Sequence, residues 1–254
     1  GQALVRAASA DGRFAIVGVT ERPGASALGA DIGVLSGLAP FGVSALDDVR
    51  LAAAEAQVWL DFTAPAATLQ ALESLQETNV RAAIIGTTGF SADDEPQIAA
   101  AAKRIAIVRS GNFSLGVALL AEFVRQAAAR LSVDWDIEIS ETHHRRKLDA
   151  PSGTALLLAE AAADGRGHAL ESLRLPPPDG LTAERREGGI GLSVRRGGGV
   201  VGEHGVSFLA EHETLTLAHQ AFDRGIFAAG ALAAALWAGD KPAGLYSMRD
   251  VLGF

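Results

Sequence analysis

The first half of this sequence alternates short apolar runs with segments of helical periodicity, and few folds accommodate that alternation. Apolar runs at 57–61, 81–85 and 105–108 have the length of buried strands. Between the first two runs, residues 65–78 begin with proline and carry leucines at helical spacing, and a further helix is predicted to start at Ser91. Because strand–helix–strand units build parallel sheets, the pattern predicts an α/β domain.

Polar loops follow the three predicted strands, at 61–63, 86–88 and 110–113. The carboxyl ends of parallel strands meet at one edge of the sheet, where ligands bind. Glycine and threonine in a single loop would simply turn the chain, whereas three such loops at one edge favour a ligand site. The candidate binding residues are Gly86, Thr87, Thr88, Ser110, Gly111, Asn112 and Phe113.

Near the start of the chain, residues 1–10 predict a helix and the apolar residues 14–19 predict a strand. An acidic residue after such a strand commonly binds an adenosine ribose about 20 residues beyond a glycine loop. Glu21 lies 20 residues after the first glycine, and Arg22 beside it could contact a 2′-phosphate or stack on an adenine. A surface Glu–Arg pair explains the same two residues, and the residues alone favour that simpler interpretation.

The second half predicts a different kind of sheet. A helix is predicted over 115–131, and the alternating residues 135–140 predict a half-buried strand. Further strand-like runs lie at 191–196, 205–210 and 214–219, after an irregular, exposed loop over 166–191. Together these runs predict a mostly antiparallel open sheet with helices on one face. The uncovered face predicts oligomerisation.

One polar stretch, ETHHRRKLDAPSGTA at 141–155, follows the first strand of this second sheet. A helix is predicted over 154–163, with Asp149 and Ser152 as candidate N-caps and Pro151 in its first turn. The N-terminus of a helix offers backbone N–H groups and the positive end of the helix dipole to an anion.

This stretch has the residues that an anion site with a proton donor needs. A carboxylate could bind the amides of Gly153 and Thr154, because glycine lets a ligand approach the backbone closely. Lys147 and a protonatable histidine would then lie near the reacting carbon, as general acids. A solvated basic loop before an ordinary capped helix explains the pattern about equally well. A metal site at Glu141, His143 and His144 is a third interpretation, but adjacent histidines point in different directions and no further ligand pair has suitable spacing.

Composition excludes several classes of function. The net charge of −8 argues against nucleic acid as a partner, so the basic residues at 145–147 are a local feature suited to a small anion. The sequence contains no cysteine, which excludes disulfides, thiolate chemistry and cysteine-based zinc sites. We predict no metal. No apolar run has membrane-spanning length and no secretory signal is visible, so we predict a cytoplasmic protein with no membrane partner.

The stretch at 141–155 resembles the signature of the dihydrodipicolinate reductase family of lysine synthesis. The resemblance covers the rest of the chain, including Arg224 and the tail at 244–250. Members of that family begin with a strand and a loop of the form Gly-x-x-Gly-Arg-Met-Gly, of which only the last glycine has a match, at Gly1. We expect the preceding residues to lie upstream of Gly1 in the natural protein.

For the fold, the resemblance implies a Rossmann-like, doubly wound parallel-sheet domain and an α+β domain with a mostly antiparallel open sheet. The dinucleotide-binding domain would comprise residues 1–113, with 224–254 packing back on it. Residues 114–223 would form the domain for substrate binding and oligomerisation. The assembly that the resemblance implies is a homotetramer joined through the open sheet.

For the function, the resemblance implies NAD(P)H-dependent reduction of 4-hydroxy-tetrahydrodipicolinate or dihydrodipicolinate to tetrahydrodipicolinate, in the diaminopimelate route of lysine biosynthesis. His143 and Lys147 would donate the proton, while His144, Gly153 and Thr154 would bind the carboxylates of this small dicarboxylate. The coenzyme, NADPH or NADH, would bind Glu21, Arg22 and the two loops at 86–88 and 110–113. Glu21 favours a free ribose hydroxyl and Arg22 a phosphate, so the choice between the two coenzymes stays open.

Two other classes of function remain at this point. One is a different oxidoreductase of the same two-domain plan, acting on another small anion such as a semialdehyde. The aldehyde-oxidising enzymes of that plan use a cysteine nucleophile, which this sequence lacks. The other is a non-catalytic module that senses nucleotides or supports an assembly. The set of His143, His144 and Lys147 argues against it.

Overall fold

A computed structural model describes residues 1–177, 180 and 184–254, which divide into two compact units. Unit 1 comprises Gly1–Ser114 and Gly225–Phe254, and unit 2 comprises Leu115–Arg224. No helix in the described ranges is both long enough and apolar enough to cross a membrane.

Unit 1 is built from short parallel strands and the helices that connect them. Its helices are α1 (Gln2–Ser9), α2 (Ile32–Leu35), α3 (Val49–Ala52), α4 (Pro65–Leu75), α5 (Glu95–Ala101), α9 (Gly225–Ala238) and α10 (Met248–Leu252). Its strands are β1 (Val19–Thr20), β2 (Ala45–Leu46), β3 (Val58–Asp61), β4 (Ala82–Ile85), β5 (Ala106–Arg109) and β10 (Gly244–Tyr246).

The main sheet of unit 1 has the order β10-β5-β4-β3, and all its neighbouring strands are parallel. Every residue of β4 is buried, as expected for a central parallel strand that is covered on both faces. Helices α4 and α5 pack against Ala83 and Ile85, while α9 contacts β3, β4 and β5. The three strands predicted at 57–61, 81–85 and 105–108 are therefore confirmed.

The strand predicted over 14–19 is wrong for most of its length. Only Val19 and Thr20 form a strand, β1, which pairs in parallel with the two residues of β2. A strand requires a partner whose N–H and C=O groups complete its hydrogen-bond ladder. Within the described chain only these last two residues have such a partner, so apolar character alone did not make a strand of residues 14–18.

Unit 2 is a four-stranded sheet covered by helices on one face. Its elements are α6 (Leu115–Arg130), β6 (Asp136–His143), α7 (Gly153–Gly165), α8 (Leu170–Leu173), β7 (Ile190–Arg196), β8 (Gly202–Leu209) and β9 (Thr214–Ala221). The strand order is β7-β6-β8-β9, in which β6 and β7 are parallel and the other neighbours are antiparallel. The predicted fold class, a Rossmann-like parallel-sheet domain with a mostly antiparallel second sheet, is confirmed.

The two faces of this second sheet differ in character. Side chains of Ile137, Ile139, Val206 and Phe208 form one core with α6 and α7. The opposite face carries mainly small and polar residues, namely Glu138, Ser140, Thr142, Ser193, Gly205, Ser207, Thr216, Ala218 and Gln220. The strict alternation of buried and half-buried residues along β6 follows from this difference.

Two predictions for unit 2 need correction. Strand β6 continues to His143, three residues beyond its predicted end, because β7 and β8 both supply ladder partners for its last residues. The predicted irregular segment at 166–191 contains the short helix α8 and the first residues of β7. Residues 178, 179 and 181–183 of that segment lie outside the described residues.

Candidate active site

The end of β6 brings a buried carboxylate beside a buried imidazole. Glu141 and His143 are two residues apart on this strand, so both side chains point to the helix-covered face. Glu141 is 1% exposed and His143 is 8% exposed. The two side chains are in contact, with 2.5 Å between Nδ1 of His143 and Oε2 of Glu141.

Arg196, the last residue of β7, holds the same carboxylate from the other side. It lies opposite His143 in the parallel register of β6 and β7. Its Nη1 donates to Oε2 of Glu141 at 2.7 Å, and its Nη2 donates to Oε1 at 2.8 Å. Burial alone would raise the pKa of Glu141, but the hydrogen bonds that it accepts outweigh burial and keep the pKa below its ordinary value.

Ser152 joins this network to the start of α7. Its backbone N–H donates to Oε1 of Glu141 at 2.9 Å. Its hydroxyl accepts from the amide of Ala155, which makes Ser152 the N-cap. Of the two predicted N-caps, Ser152 is therefore confirmed and Asp149 is wrong, and Pro151 precedes the cap rather than lying in the first turn.

A second buried histidine, His204 of β8, contacts both Ser152 and His143. Its Nε2 lies 3.2 Å from the hydroxyl of Ser152. Its ring meets the ring of His143 edge to face, with 5.0 Å between the centroids. Its Nδ1 is buried and has no hydrogen-bond partner among the described residues. Burial, and then the neighbouring His143, lower the pKa of His204 to about 4, so this ring is neutral at physiological pH.

Lys147, the predicted proton donor, lies in the loop between β6 and α7. Its backbone N–H donates to the carbonyl of His144 at 3.1 Å, which makes a turn over residues 144–147. Its Nζ lies 2.7 and 2.8 Å from the two carboxylate oxygens of Asp149. The hydrogen bond from Lys147 lowers the pKa of Asp149, so Asp149 is a carboxylate at neutral pH. The Lys147 side chain is 21% exposed and the Asp149 side chain 62%, so the pair is open to solvent.

His144 faces a different cation. Its Nε2 lies 3.2 Å from Nη2 of Arg224, and because a guanidinium only donates, Nε2 is the acceptor. Desolvation lowers the pKa of His144, and so do the surrounding positive charges, of which Arg146 is the strongest and Lys147 is another. His144 is therefore a neutral ring among cations. Those positive charges favour the binding of an anion at this end of unit 2.

Gly153 and Thr154 are the first two residues of α7. Gly153 is exposed, and a Cβ atom built on it would meet no atom within 4 Å. A ligand therefore has room to approach the backbone at the positive end of this helix. The sequence placed both residues at the helix start, and the structure agrees.

The predicted coenzyme residues of unit 1 form two groups. Thr87 and Phe113 are buried. The hydroxyl of Thr87 donates to Oδ1 of Asp61 at 3.1 Å, and the ring of Phe113 packs on that of Phe62 with 5.3 Å between centroids. These two side chains support the loops from within. Their predicted contact with a coenzyme stays a prediction.

The remaining loop residues lie nearer the surface. Thr88 and Gly111 are exposed, while Gly86, Ser110 and Asn112 are half-buried. A Cβ atom at Gly86 would lie 2.1 Å from the ring of Phe62, so only glycine fits beneath this loop without displacing the ring. Polar, glycine-containing loops at the carboxyl edge of a parallel sheet fit a dinucleotide.

Glu21 and Arg22 are both exposed and follow β1 directly. The carboxylate of Glu21 accepts from the backbone N–H of Arg22 at 2.8 Å. Both side chains are therefore accessible to a ribose or to a 2′-phosphate.

The comparisons with known proteins agree over the whole chain. Residues 1–113 match the family description "Dihydrodipicolinate reductase, N-terminus", and residues 116–252 match "Dihydrodipicolinate reductase, C-terminus". The chain belongs to the dihydrodipicolinate reductase family. This membership confirms the prediction made from the stretch at 141–155, and the chain is an NAD(P)H-dependent oxidoreductase.

Individual relatives of the family carry matching names. The chain is 52% identical to a 4-hydroxy-tetrahydrodipicolinate reductase of Dinoroseobacter shibae, over 100% of this chain and 94% of that protein. It is 50% identical to the reductase of the same name from Parvibaculum lavamentivorans, over 100% of this chain and 93% of that protein. A solved dihydrodipicolinate reductase from Paenisporosarcina sp. TG-14, bound to dipicolinate, is 25% identical with a TM-score of 0.76, over 98% of this chain and 94% of that chain.

Three residues of this site had no role in the reductase reaction predicted from the sequence: Glu141, Arg196 and His204. The sequence predicts a role for Glu141 only in the alternative metal site. Its position two residues before His143 on an alternating strand was a usable signal, since both side chains must share a face. No group of three or more potential ligands within the described ranges could hold a metal ion. Arg196 and His204 gave no local signal, because they lie more than 50 residues along the chain from their partners Glu141 and Ser152.

The neutral state of His204 makes the stability of the protein depend on pH. An unfolded histidine takes up a proton below about pH 6.5, whereas folded His204 stays neutral down to about pH 4. Between these values the unfolded state binds more protons, so stability falls as the pH falls. We expect the free energy of unfolding to lose up to about 3 kcal/mol from this group between pH 6.5 and pH 4.

Urea unfolding at several pH values checks this expectation by comparing the wild type with His204→Gln. Glutamine does not titrate, and its side-chain amide can donate to or accept from the Ser152 hydroxyl, so the variant should show a smaller loss of stability in acid. The comparison is needed because His144 and His219 also have lowered pKa values. Equal pH slopes in the two proteins would contradict a neutral His204.

Proposed function

We propose that this protein reduces 4-hydroxy-tetrahydrodipicolinate, or the dihydrodipicolinate formed from it, to tetrahydrodipicolinate with NADPH or NADH. The observation that carries the proposal is the pairing of family membership over the whole chain with a site that combines cations, imidazoles and a helix N-terminus. The reaction is a step in the diaminopimelate route of lysine biosynthesis.

The substrate is a ring with two carboxylates, and unit 2 supplies groups that suit them. In the proposal, the amides of Gly153 and Thr154 bind one carboxylate at the start of α7. Lys147 and His144 contact the other, with the positive charge of Arg224 beside His144. The solved relative bound to dipicolinate, an aromatic ring with the same two carboxylates, supports this choice of substrate class.

His143 and Lys147 have the proposed role of proton donors. Reduction places a hydride on one atom of the conjugated system, and the negative charge that develops must be met by a proton. An ammonium and an imidazole near the ring stabilise that charge before the proton moves. The buried position of His143 keeps bulk water away from its ring.

The coenzyme, when bound, supplies the hydride. In the proposal, residues 1–113 with 224–254 hold the coenzyme, and residues 114–223 hold the substrate. Glu21 and Arg22 receive the adenosine ribose or its 2′-phosphate, and the loops at 86–88 and 110–113 receive the nicotinamide half. The exposed Thr88 and the half-buried Ser110 and Asn112 of these loops support that assignment.

A direct assay tests the function. The purified protein is mixed with NADPH or NADH and freshly prepared 4-hydroxy-tetrahydrodipicolinate, and loss of absorbance of the reduced coenzyme is followed. We expect turnover with this substrate, none without it, and competitive inhibition by dipicolinate. Absence of turnover with both coenzymes would refute the proposal and favour a non-catalytic module. Turnover only with a semialdehyde would favour the other oxidoreductase.

We also propose a homotetramer joined through the uncovered face of the second sheet. The small side chains on that face allow another copy to approach closely, and Ala218 lies midway along the edge strand β9, opposite Gly205. Sedimentation equilibrium should give about four times the 26.1 kDa of one chain, and Ala218→Arg should give a smaller species. A monomeric wild type would contradict this assembly. We propose the cytoplasm as its location, because the reaction depends on a reduced coenzyme of intermediary metabolism.

A further inference from the structure

We propose that Glu141 is a positioning residue that fixes the tautomer and orientation of His143, so that Nε2 is the atom of the ring that exchanges the proton. The inference rests on the proposed reductase function, in which His143 is a proton donor. Glu141 would not touch the substrate. It would act through the imidazole.

The hydrogen bonds around Glu141 require the ionised form of its side chain. Three donors of fixed direction meet the carboxylate: Nη1 of Arg196 at Oε2, and Nη2 of Arg196 and the backbone N–H of Ser152 at Oε1. A guanidinium and a peptide N–H can only donate. A hydrogen on Oε1 would oppose two of these donors, and a hydrogen on Oε2 would remove the negative charge that both nitrogens of the Arg196 guanidinium face. The site therefore holds a carboxylate, which can only accept.

The ionised form decides the tautomer of His143. Because Oε2 of Glu141 only accepts, Nδ1 of His143 must carry a hydrogen to make the contact at 2.5 Å. In the neutral ring the other nitrogen, Nε2, is then unprotonated. When the ring is charged, the proton on Nε2 is the one that can leave, and departure of that proton leaves the Nδ1–H tautomer behind.

The surroundings of His143 fix the ring as well as its protonation. The side chain of Glu141 is fully buried and is held by β7 and by the start of α7, in addition to its own strand. The backbone carbonyl of His143 accepts from Gly197 at 2.9 Å, which anchors the residue at the strand end. A ring held at one nitrogen by such a fixed acceptor loses little entropy when it meets a substrate.

Space beside Nε2 is kept by a glycine. A Cβ atom at Gly202 would lie only 3.1 Å from Nε2 of His143. Any other residue at 202 would crowd the nitrogen that the proposal assigns to proton exchange. The two ring nitrogens therefore have different surroundings: Nδ1 contacts the carboxylate of Glu141, and the lack of a side chain at 202 leaves Nε2 uncrowded on that side.

The wild-type protein tests the tautomer directly. Selective 15N labelling of histidine gives spectra in which protonated and unprotonated ring nitrogens have distinct shifts, and the sequence has only six histidines. Loss of one set of signals in His143→Gln assigns that set to His143. At alkaline pH we expect the Nδ1–H tautomer for this residue. An Nε2–H tautomer in the folded wild type would overturn the proposal without any further variant.

Glu141→Gln tests the consequence for turnover. The amide can present its NH₂ group to His143, so Nδ1 becomes an acceptor and Nε2 retains the hydrogen in the neutral ring. We expect kcat to fall by about a hundredfold or more, with KM for the substrate changed by less than about threefold. The 15N pattern of His143 should shift toward the other tautomer in the same protein. Wild-type kcat, or a lower kcat with an unchanged 15N pattern, would refute positioning and leave Glu141 a structural residue.

A control is available on the surface of unit 1. Glu77 also pairs with an arginine, Arg50, at 3.0 Å, and both side chains are largely exposed. Glu77→Gln should therefore leave kcat within about threefold of wild type. Should Glu141→Gln fail to fold, Glu141→Asp keeps the charge opposite Arg196 but draws the carboxylate back from His143. In that variant kcat is expected to fall by about tenfold or more, and a wild-type kcat would overturn the proposal.

The two proposals fail in different ways. If the wild type does not oxidise NADPH with the proposed substrate, the reductase function is wrong, yet the tautomer of His143 can still be measured. If the wild type turns over but His143 has the Nε2–H tautomer, the function stands and the role of Glu141 is refuted.

Discussion

Replacement of Lys147 by alanine should lower kcat by about a hundredfold to a thousandfold, the usual cost of losing one charged group that stabilises the transition state. The expectation follows from the proposed chemistry, since the ammonium is the cation that would face the charge developing on the ring. Steady-state kinetics with 4-hydroxy-tetrahydrodipicolinate gives kcat, and fluorescence titration gives the dissociation constant of NADPH. That constant should stay unchanged, because the proposed coenzyme residues belong to unit 1 and Lys147 to unit 2.

Lys103 offers the control for this variant. It is an exposed lysine just after α5, outside both predicted sites, and Lys103→Ala should behave as the wild type. Full turnover in Lys147→Ala would remove the lysine from the mechanism. A weaker binding of NADPH with unchanged kcat would instead assign Lys147 to the coenzyme.

Replacement of His143 by glutamine should reduce kcat by about a hundredfold or more, which is the scale of a lost general acid. Glutamine has a similar length and can still donate to Glu141, so the buried carboxylate keeps a partner. The folded structure should therefore survive, as circular dichroism and thermal unfolding can check. The measured loss then reports proton transfer rather than collapse of the site.

His212, an exposed histidine in the turn between β8 and β9, provides the matched control. His212→Gln should retain wild-type kcat. If His143→Gln also retained it, His143 would be a structural residue of the cluster. The double variant His143→Gln with Lys147→Ala adds a second check. If both residues act on one proton transfer, the fold-decrease in its kcat should be smaller than the product of the fold-decreases in the two single variants.

The sequence was most informative where structure depends on local pattern. The residues of β4 are apolar without alternation, and such a run is typical of a strand covered on both faces. Along β6 the alternation of apolar and polar residues predicted the half-buried strand correctly. The N-cap at Ser152 was readable because a serine side chain before a helical segment satisfies the free amides of its first turn.

The sequence was least informative where structure depends on partners far along the chain. Residues 14–18 have strand-like composition but lack a ladder partner within the described chain, and nothing local reveals that. Arg196 and Glu141 are 55 residues apart in the sequence. The sequence around Arg196 therefore does not indicate that it pairs with a buried carboxylate. The burial of Thr87 and Phe113 also depends on contacts with Asp61, the last residue of β3, and with Phe62 directly after it.

The ion pair of Lys147 with Asp149 bears on selectivity between acids. The ammonium already has a counterion at 2.7 Å, so a carboxylate that binds Lys147 as proposed would have to exchange places with Asp149. A monoacid gains little from that exchange, since one carboxylate merely replaces another. If the proposed site is right, a diacid anchored by its other carboxylate at the start of α7 would bring its second charge at high effective concentration, and it would displace the aspartate where a monoacid would not.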